Sequence, residues 1–532
     1  MRQDPTGVAL VDDTGHLTWA ELATQVRGVA AEMLAVAGGD GERVAVTGEN
    51  SIPTLVAHAA GILAGVGTVA VSRQLAVGEL TDLLLDAGAV AAVAGPASRD
   101  GVTAAAGPAR LRVVVVHGTG TGTGTGTDVG TGTDVGTGTG VGTGTGVGVG
   151  VGSQTDWTDW TGSDRAMPDV AGRPARPPLV YTSGTTGRPR GTEVRWTAPT
   201  PPSAVAYAEA LAARSGFPAG PHLVVGPLQH NAPLTSLRHL LSGQPVVVLG
   251  RFDAERVLRL IESHRVTSTV MVPTHFSRLL ALPADVRAGH DVTSLRSLPH
   301  TGSACPPDVK RAMIDWFGPV LVESYGGSEV GTLCRISSEE WLVRPGSVGR
   351  CMPPFEAVVL DADNAPMPAG EVGVLGFRAP ADRGVRYHDD PAKTAAAYLL
   401  PNVFTLGDVG YVDADGYVHI TDRIADMVVS GGVNLYPAES ERVLAHHPQV
   451  ADVAVIGVPD TDMGEALRAL IVPAGQAPDS GDLDQFCRAS LAAYKCPKSY
   501  EIITELPRNA MGKVDKKALR RPYWDTERTI AG

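Results

Sequence analysis

Along residues 1–116 short apolar runs alternate with longer stretches whose apolar positions recur at helical spacing: RVAVTG, then SIPTLVAHAAGILAGVGTVAV, then ELTDLLLDAGAVAAVAG. That rhythm predicts a parallel sheet covered by helices. It returns between 222 and 330 in HLVVGPL, PVVVLG and RVLRLIESHRVTSTVMVP. Residues 346–420 read differently, as short strands broken by turns (AVVLDADNAP, GVLGFRAP, GYVDADGYVHI), and predict a small antiparallel or barrel-like subdomain. The last ~110 residues carry their own mixed pattern, with strands expected near VADVAVIGV and ALIVP, and suit a small separate domain. The fold class expected is α/β: a large N-terminal part with two parallel-type sheets, helices and a small β-barrel-like subdomain, then a small α+β C-terminal domain.

One stretch breaks the pattern. Residues 118–152 are almost wholly Gly, Thr and Val with two Asp, and offer almost no large side chain to bury. Such a segment cannot offset its backbone entropy, so it reads as a low-complexity insertion within one domain. Its removal is expected to leave activity largely intact.

Composition narrows the function. The formal net charge of −13, from 57 acidic and 44 basic residues, argues against nucleic acid or a polybasic membrane surface as the main partner. Cys305, Cys334, Cys351, Cys487 and Cys496 are odd in number and never spaced as CxxC, which predicts free thiols in a reducing cytoplasm rather than a disulfide framework or zinc site. The start, MRQDPTGVALVDD, lacks the basic-then-apolar form of a signal peptide, and no apolar run is long enough to span a membrane.

The candidate chemistry begins at YTSGTTGRPRG, residues 181–191, directly after an apolar strand. Glycines let backbone approach a ligand closely, Ser183, Thr185 and Thr186 add hydroxyl donors, and Arg188 and Arg190 supply countercharge: a loop suited to a polyphosphate, without the GxxxxGK[ST] signature of the usual P-loop. Further motifs follow in order: ESYGGSEVG at 323–331, TLGDVGYVDADGYVHITDR at 405–423, MVVSGGVNLYPAESE at 427–441 and LPRNAMGKVDKKALR at 506–520. With these motifs the chain resembles the adenylate-forming superfamily, which includes acyl-CoA synthetases, and its spelling is most similar to the bile-acid and long-chain acyl-CoA ligase branch.

The resemblance implies ATP, Mg²⁺ and CoA as co-substrates or cofactors, and a small-molecule acid as substrate. Thr182, Ser183, Gly184, Thr185, Thr186 and Gly187 would hold the β- and γ-phosphates, with Arg190 adjoining them. Glu329 would contact Mg²⁺; Tyr325 would stack on adenine, beside Gly326, Gly327 and Ser328; Asp408 and Arg423 would take the ribose hydroxyls. Lys513 would reach the α-phosphate and the carboxylate, stabilising charge that develops in the transition state. His230, in PLQHNAP, would border the acyl site, and Gly302, Ser303 and Ala304, in HTGSACPP, would flank the adenylate. Gly431 and Gly432 would line a tunnel for pantetheine once the C-terminal domain (424–532) turns as a lid about a hinge at its junction with 1–423. His230, Glu329 and Lys513 are the candidate catalytic residues.

Three positions depart from the family pattern: Arg190 stands where Lys is usual, Leu406 where Thr precedes Gly-Asp, and Ala425 at the hinge. PLQHNAP lacks the Asp that amino-acid-activating relatives set against an ammonium, which disfavours an α-amino acid. MVPTHFSRLL, 271–280, predicts a helix near the pocket with His275 and Arg278 on one face. The leading expectation is an AMP-forming acid–CoA ligase. Its rivals are an adenylating enzyme that serves a carrier-protein thiol or an amine, a diazotase that adenylates nitrite, and an inactive homologue that only binds.

Overall fold

The computed structural model describes residues 4–118, 153–182, 190–197, 199–380, 382–388, 390–423, 426–430, 433–460, 463–508 and 514–524. Internal contacts divide the chain into two units: Met1–Val8, His16–Leu179 and Pro202–Ala208 form one; Ala9–Gly15, Val180–Pro201 and Glu209–Gly532 form the other.

The first unit is built on parallel strands in the order Ser153–Asp156, Val113–Val116, Ala89–Ala94, Arg43–Thr47 and Gly67–Val71. Arg43–Thr47 and Gly67–Val71 are buried at every position. This explains why they read as continuous apolar runs rather than alternating ones. Helix Ile52–Ala64 packs on them, started by the Ser51 side chain accepting from the Thr54 amide and stopped by Gly65 in the left-handed region. Val113–Val116 and Ser153–Asp156, the described strands on either side of the Gly/Thr stretch in sequence, are parallel neighbours.

The second unit contains the strands that matter for function. Val246–Val248, His222–Val224 and Ser268–Val270 run parallel, side by side. Bridges from Ser268 to Ser297 and from Met271 to His300 extend this array to Leu298–His300, which is parallel in turn to Leu321–Gly327. From there the sheet becomes antiparallel through Gly331–Ser337, Ser347–Cys351, Tyr417–Arg423, Val403–Val412, Gly373–Arg378 and Glu356–Leu360. These are the turn-rich strands expected from 346–420. The C-terminal strands expected at VADVAVIGV and ALIVP are Val450–Asp460 and Gly464–Pro473, an antiparallel pair flanked by helices Pro437–Leu444 and Ser480–Arg488 around a core that includes Val455, Leu467, Ile471 and Leu483. The α/β class, with a large N-terminal and a small C-terminal part, stands as the pattern predicted.

Candidate active site

Five parallel strands of the second unit end at one edge, and each hands the chain to a segment that the sequence marked or should have marked. Val246–Val248 leads to Phe252, His222–Val224 to His230, and Ser268–Val270 to helix Pro273–Leu280. Leu298–His300 leads to the loop with Gly302 and Ser303, and Leu321–Gly327 carries Tyr325 and turns into Glu329. In open α/β sheets ligands bind outside the carboxyl ends of the strands. His230, Ser303, Tyr325 and Glu329, far apart in sequence, therefore share one edge. Gly302 has φ +93°, a conformation that side chains rarely adopt, which accounts for a glycine in the turn.

The tightest group there is Tyr325, Asp408 and Arg423. Asp408 and Arg423 sit directly opposite each other on antiparallel strands. The Arg423 Nε lies 3.1 Å from Asp408 Oδ1, and the Tyr325 hydroxyl donates to Asp408 Oδ2 at 2.5 Å. Asp408 is 3% exposed, whereas the Arg423 side chain is half exposed. Burial, then the Asp408 charge, pushes the Tyr325 hydroxyl far above its ordinary pKa, so it remains a donor. Its ring packs at 5.8 Å from that of Phe377. Next in the chain, Asp422 accepts from the Ala438 amide at 3.0 Å, and burial raises its pKa to about 6 against the pull of Lys516.

The two glycines of YGGSE serve the protein itself. A Cβ on Gly326 would lie 1.9 Å from the Gly331 carbonyl oxygen across the hairpin, and one on Gly327 would crowd the Glu329 carboxylate at 2.7 Å. Glu329 is held by a residue that motif reading missed: the Tyr387 hydroxyl hydrogen-bonds its carboxylate, and burial and that charge raise the phenol. Tyr387 lies in a segment tied to the strand that follows YTSGTTG in the chain, Arg190–Glu193. The His388 amide donates to the Gly191 carbonyl at 3.0 Å, and Arg195 Nη1 donates to the Asp382 carbonyl at 3.1 Å. Burial and the nearby charges of Arg386 and Arg383 lower the Arg195 pKa, so cations gather along this strip. Trp196 Nε1 then donates to Asn231 Oδ1 at 3.0 Å, which fixes the start of helix Asn231–Leu234 beside half-buried His230.

His275 and Arg278 do share a face. Both lie on Phe252, the imidazole stacked at 4.2 Å and the guanidinium 5.6 Å from the ring centre. Burial lowers His275 to about 4, so it is neutral at pH 7. Ser183, Gly184, Thr185, Thr186, Gly187, Arg188, Ala425, Gly431, Gly432 and Lys513 lie outside the described residues, and of Thr182 and Arg190 only the strand backbone is described. Among the described residues no three His, Cys, Asp or Glu side chains gather as a metal cage. Glu329, a half-buried carboxylate, fits Mg²⁺ of the kind that arrives with a nucleotide, because that ion needs only one or two carboxylates besides phosphates and water.

A family model described as AMP-binding enzyme matches residues 1–382, and one described as AMP-binding enzyme C-terminal domain matches 439–513. The chain belongs to the AMP-binding enzyme family. Within it, this AMP-binding enzyme is 32% identical to an octahydro-indenyl-propanoyl:CoA ligase of Mycobacterium tuberculosis, over 98% of this chain and 96% of that one. It is also 32% identical to a feruloyl-CoA synthase of Amycolatopsis sp, over 98% and 97%. ATP-bound MatB from Rhodopseudomonas palustris superposes with a TM-score of 0.77 at 27% identity, covering 99% of this chain and 97% of that one. No helix among the described residues is long and apolar enough to cross a membrane.

Proposed function

We propose that the protein is an AMP-forming ligase that couples an acid to ATP as an acyl-adenylate, releases pyrophosphate, and passes the acyl group to the thiol of CoA. The observation that carries this reading is the Tyr325–Asp408–Arg423 group at the carboxyl edge of the sheet, a buried carboxylate braced by a phenol and a guanidinium. A carboxylate so held is a fixed acceptor for the two hydroxyls of a ribose. The Tyr325 ring offers the adenine a face, and the Tyr387–Glu329 pair stands where the phosphate chain would run, beside the strand that leaves YTSGTTGRPRG.

Two anions must meet, so catalysis lies in positioning and charge neutralisation. Mg²⁺ bound with the nucleotide would neutralise phosphate charge, and Glu329 is the residue that would hold it. Arg195, Arg383 and Arg386 add positive potential along the same strip. Lys513 is assigned to the α-phosphate from its MGK context, and the C-terminal part from 424 onward to the lid that brings it in. Full-length relatives named as CoA ligases support CoA as the acceptor, and their ring-bearing acyl groups place aryl and polycyclic acids first among candidates. ATP–pyrophosphate exchange across a panel of acids tests the adenylation. Failure of every acid in the panel to support exchange, from protein that binds ATP, would sink it.

A further inference from the structure

Beneath the 301–305 loop lies a buried ion pair, Lys310 with Glu323. Lys310 is fully buried, and its Nζ donates to Glu323 Oε2 at 2.6 Å. Lys310 stands in the first turns of helix Pro307–Phe317, which begins where the loop ends. Glu323 is the register partner of His300, where the loop begins, and lies two residues before Tyr325. The pair thus closes the base of the loop onto the strand that carries Tyr325 and leads to Glu329.

The surroundings are apolar. The Lys310 ammonium lies 4.6 Å from the Trp341 ring centre, and the His300 ring meets Phe276 edge-on at 5.3 Å. His300 is wholly buried, neither ring nitrogen has a hydrogen-bond partner among the described residues, and burial lowers its pKa to about 3. It is therefore a neutral filler 3.8 Å from Glu323, and the charge balance is one cation to one anion. Burial pulls Lys310 down and Glu323 up, while their contact opposes both. The Cys305 thiol, at the far end of the loop, is raised to about 12 by burial and by Glu323, with Lys310 opposing, so both charges reach the loop itself.

A buried pair of this kind is a poor way to gain stability, because apolar side chains of similar volume often do as well or better. What it gives is one defined arrangement. We propose that Lys310 and Glu323 are positioning residues that hold the 301–305 loop in register with the Tyr325–Glu329 turn. The role rests on the adenylation reading, since these are the segments that would flank the adenylate.

The test compares the wild type with two double variants, Lys310→Met with Glu323→Leu, and Lys310→Gln with Glu323→Gln. Three quantities are read: the thermal midpoint, amide hydrogen exchange of peptides covering 300–306 and 323–330, and ATP–pyrophosphate exchange. The apolar variant should melt at or above the wild type. Its loop amides should exchange about tenfold faster or more, and its pyrophosphate exchange should fall about tenfold to a hundredfold. The Gln pair, which keeps a hydrogen bond between the two positions, should stay within about threefold of the wild type in both rates. Unchanged loop protection and turnover in the apolar variant would overturn the proposal. So would a folded Gln pair that loses about tenfold, and this arm decides if the apolar variant fails to fold. A wild type without pyrophosphate exchange would refute the adenylation reading, while loop protection would still decide the positioning role.

Discussion

Replacing Tyr325 with Phe removes one hydroxyl and keeps the ring that packs on Phe377. The lost bond is charge-assisted, donated at 2.5 Å to a carboxylate that is 3% exposed. A hydrogen bond to a charged group contributes ~1.5–3 kcal/mol. Water is poorly placed to replace the hydroxyl at so buried an acceptor, and Arg423 already serves the other oxygen from 3.1 Å. At about 1.4 kcal/mol for each factor of ten, misplacing Asp408 should weaken ATP binding by about 10- to 100-fold. Tyr325 is not assigned to the reacting atoms, so the loss should appear in KM for ATP, with kcat changed by about threefold at most. ATP–pyrophosphate exchange gives both constants, and calorimetry with ATP alone gives the affinity directly. An unchanged or lowered KM would mean that the hydroxyl competes with ribose or is irrelevant to it, and would refute the reasoning. A collapse of kcat at constant KM would refute it as well.

Asp422 gives a pH prediction. Its folded pKa of about 6 lies above the ordinary 3.8, so its contribution is fully favourable below about pH 3.8 and is lost as pH rises through 6. The shift corresponds to about 3 kcal/mol. Asp422→Asn should therefore gain stability relative to the wild type between about pH 5 and pH 7.5, and thermal midpoints that stay parallel across that range would contradict this. Cys334 and Cys351 face each other across two strands with sulfurs 3.2 Å apart, and Tyr325 is the register partner of Cys334 on the other side. Oxidised glutathione should be attacked by the more accessible Cys351 thiolate, and Cys334 should then displace glutathione to close a disulfide. Peptide mapping would find the bond, a reductant would restore activity, and Cys351→Ser should be insensitive; a wild type that forms no bond contradicts the geometry. Replacing 119–152 with a linker of about twelve residues should keep turnover within about twofold, whereas joining Gly118 directly to Ser153 should fail, because parallel neighbours need a crossover of roughly that length. Equal activity of the directly joined chain would count against the observed pairing.

That last point revises an expectation. The Gly/Thr composition of 118–152 is visible in the sequence, but the direction of the strands on either side is not, and it is the direction from which we predict that full deletion is costly. The residues proposed to meet the nucleotide were more legible because each sits in a short contiguous motif: Tyr325 and Glu329 in YGGSE, and Asp408 and Arg423 at the two ends of one hairpin that also pairs them in space. Tyr387 was missed because its partner Glu329 is remote in sequence and VRYHDDP carries no ligand spacing. Lys310 left a faint signal. It falls on the stripe formed by Met313, Ile314 and Phe317, where a lysine needs a buried partner, but only the register of Leu298–His300 on Leu321–Gly327 brings Glu323 to it. The cysteines gave none, since an antiparallel register rather than a CxxC spacing sets Cys334 against Cys351.

The central claim is tested most directly by product analysis. The full chain is given MgATP and a panel of acids (ring-bearing, fatty, and nitrite with an aryl amine), each with and without CoA, and the products are read by mass spectrometry. AMP, pyrophosphate and an acyl-CoA that appears only when CoA is present are predicted. AMP formed with equal yield in the absence of CoA, with no thioester in its presence, would contradict the CoA-ligase account and turn it toward a carrier protein, an amine or nitrite.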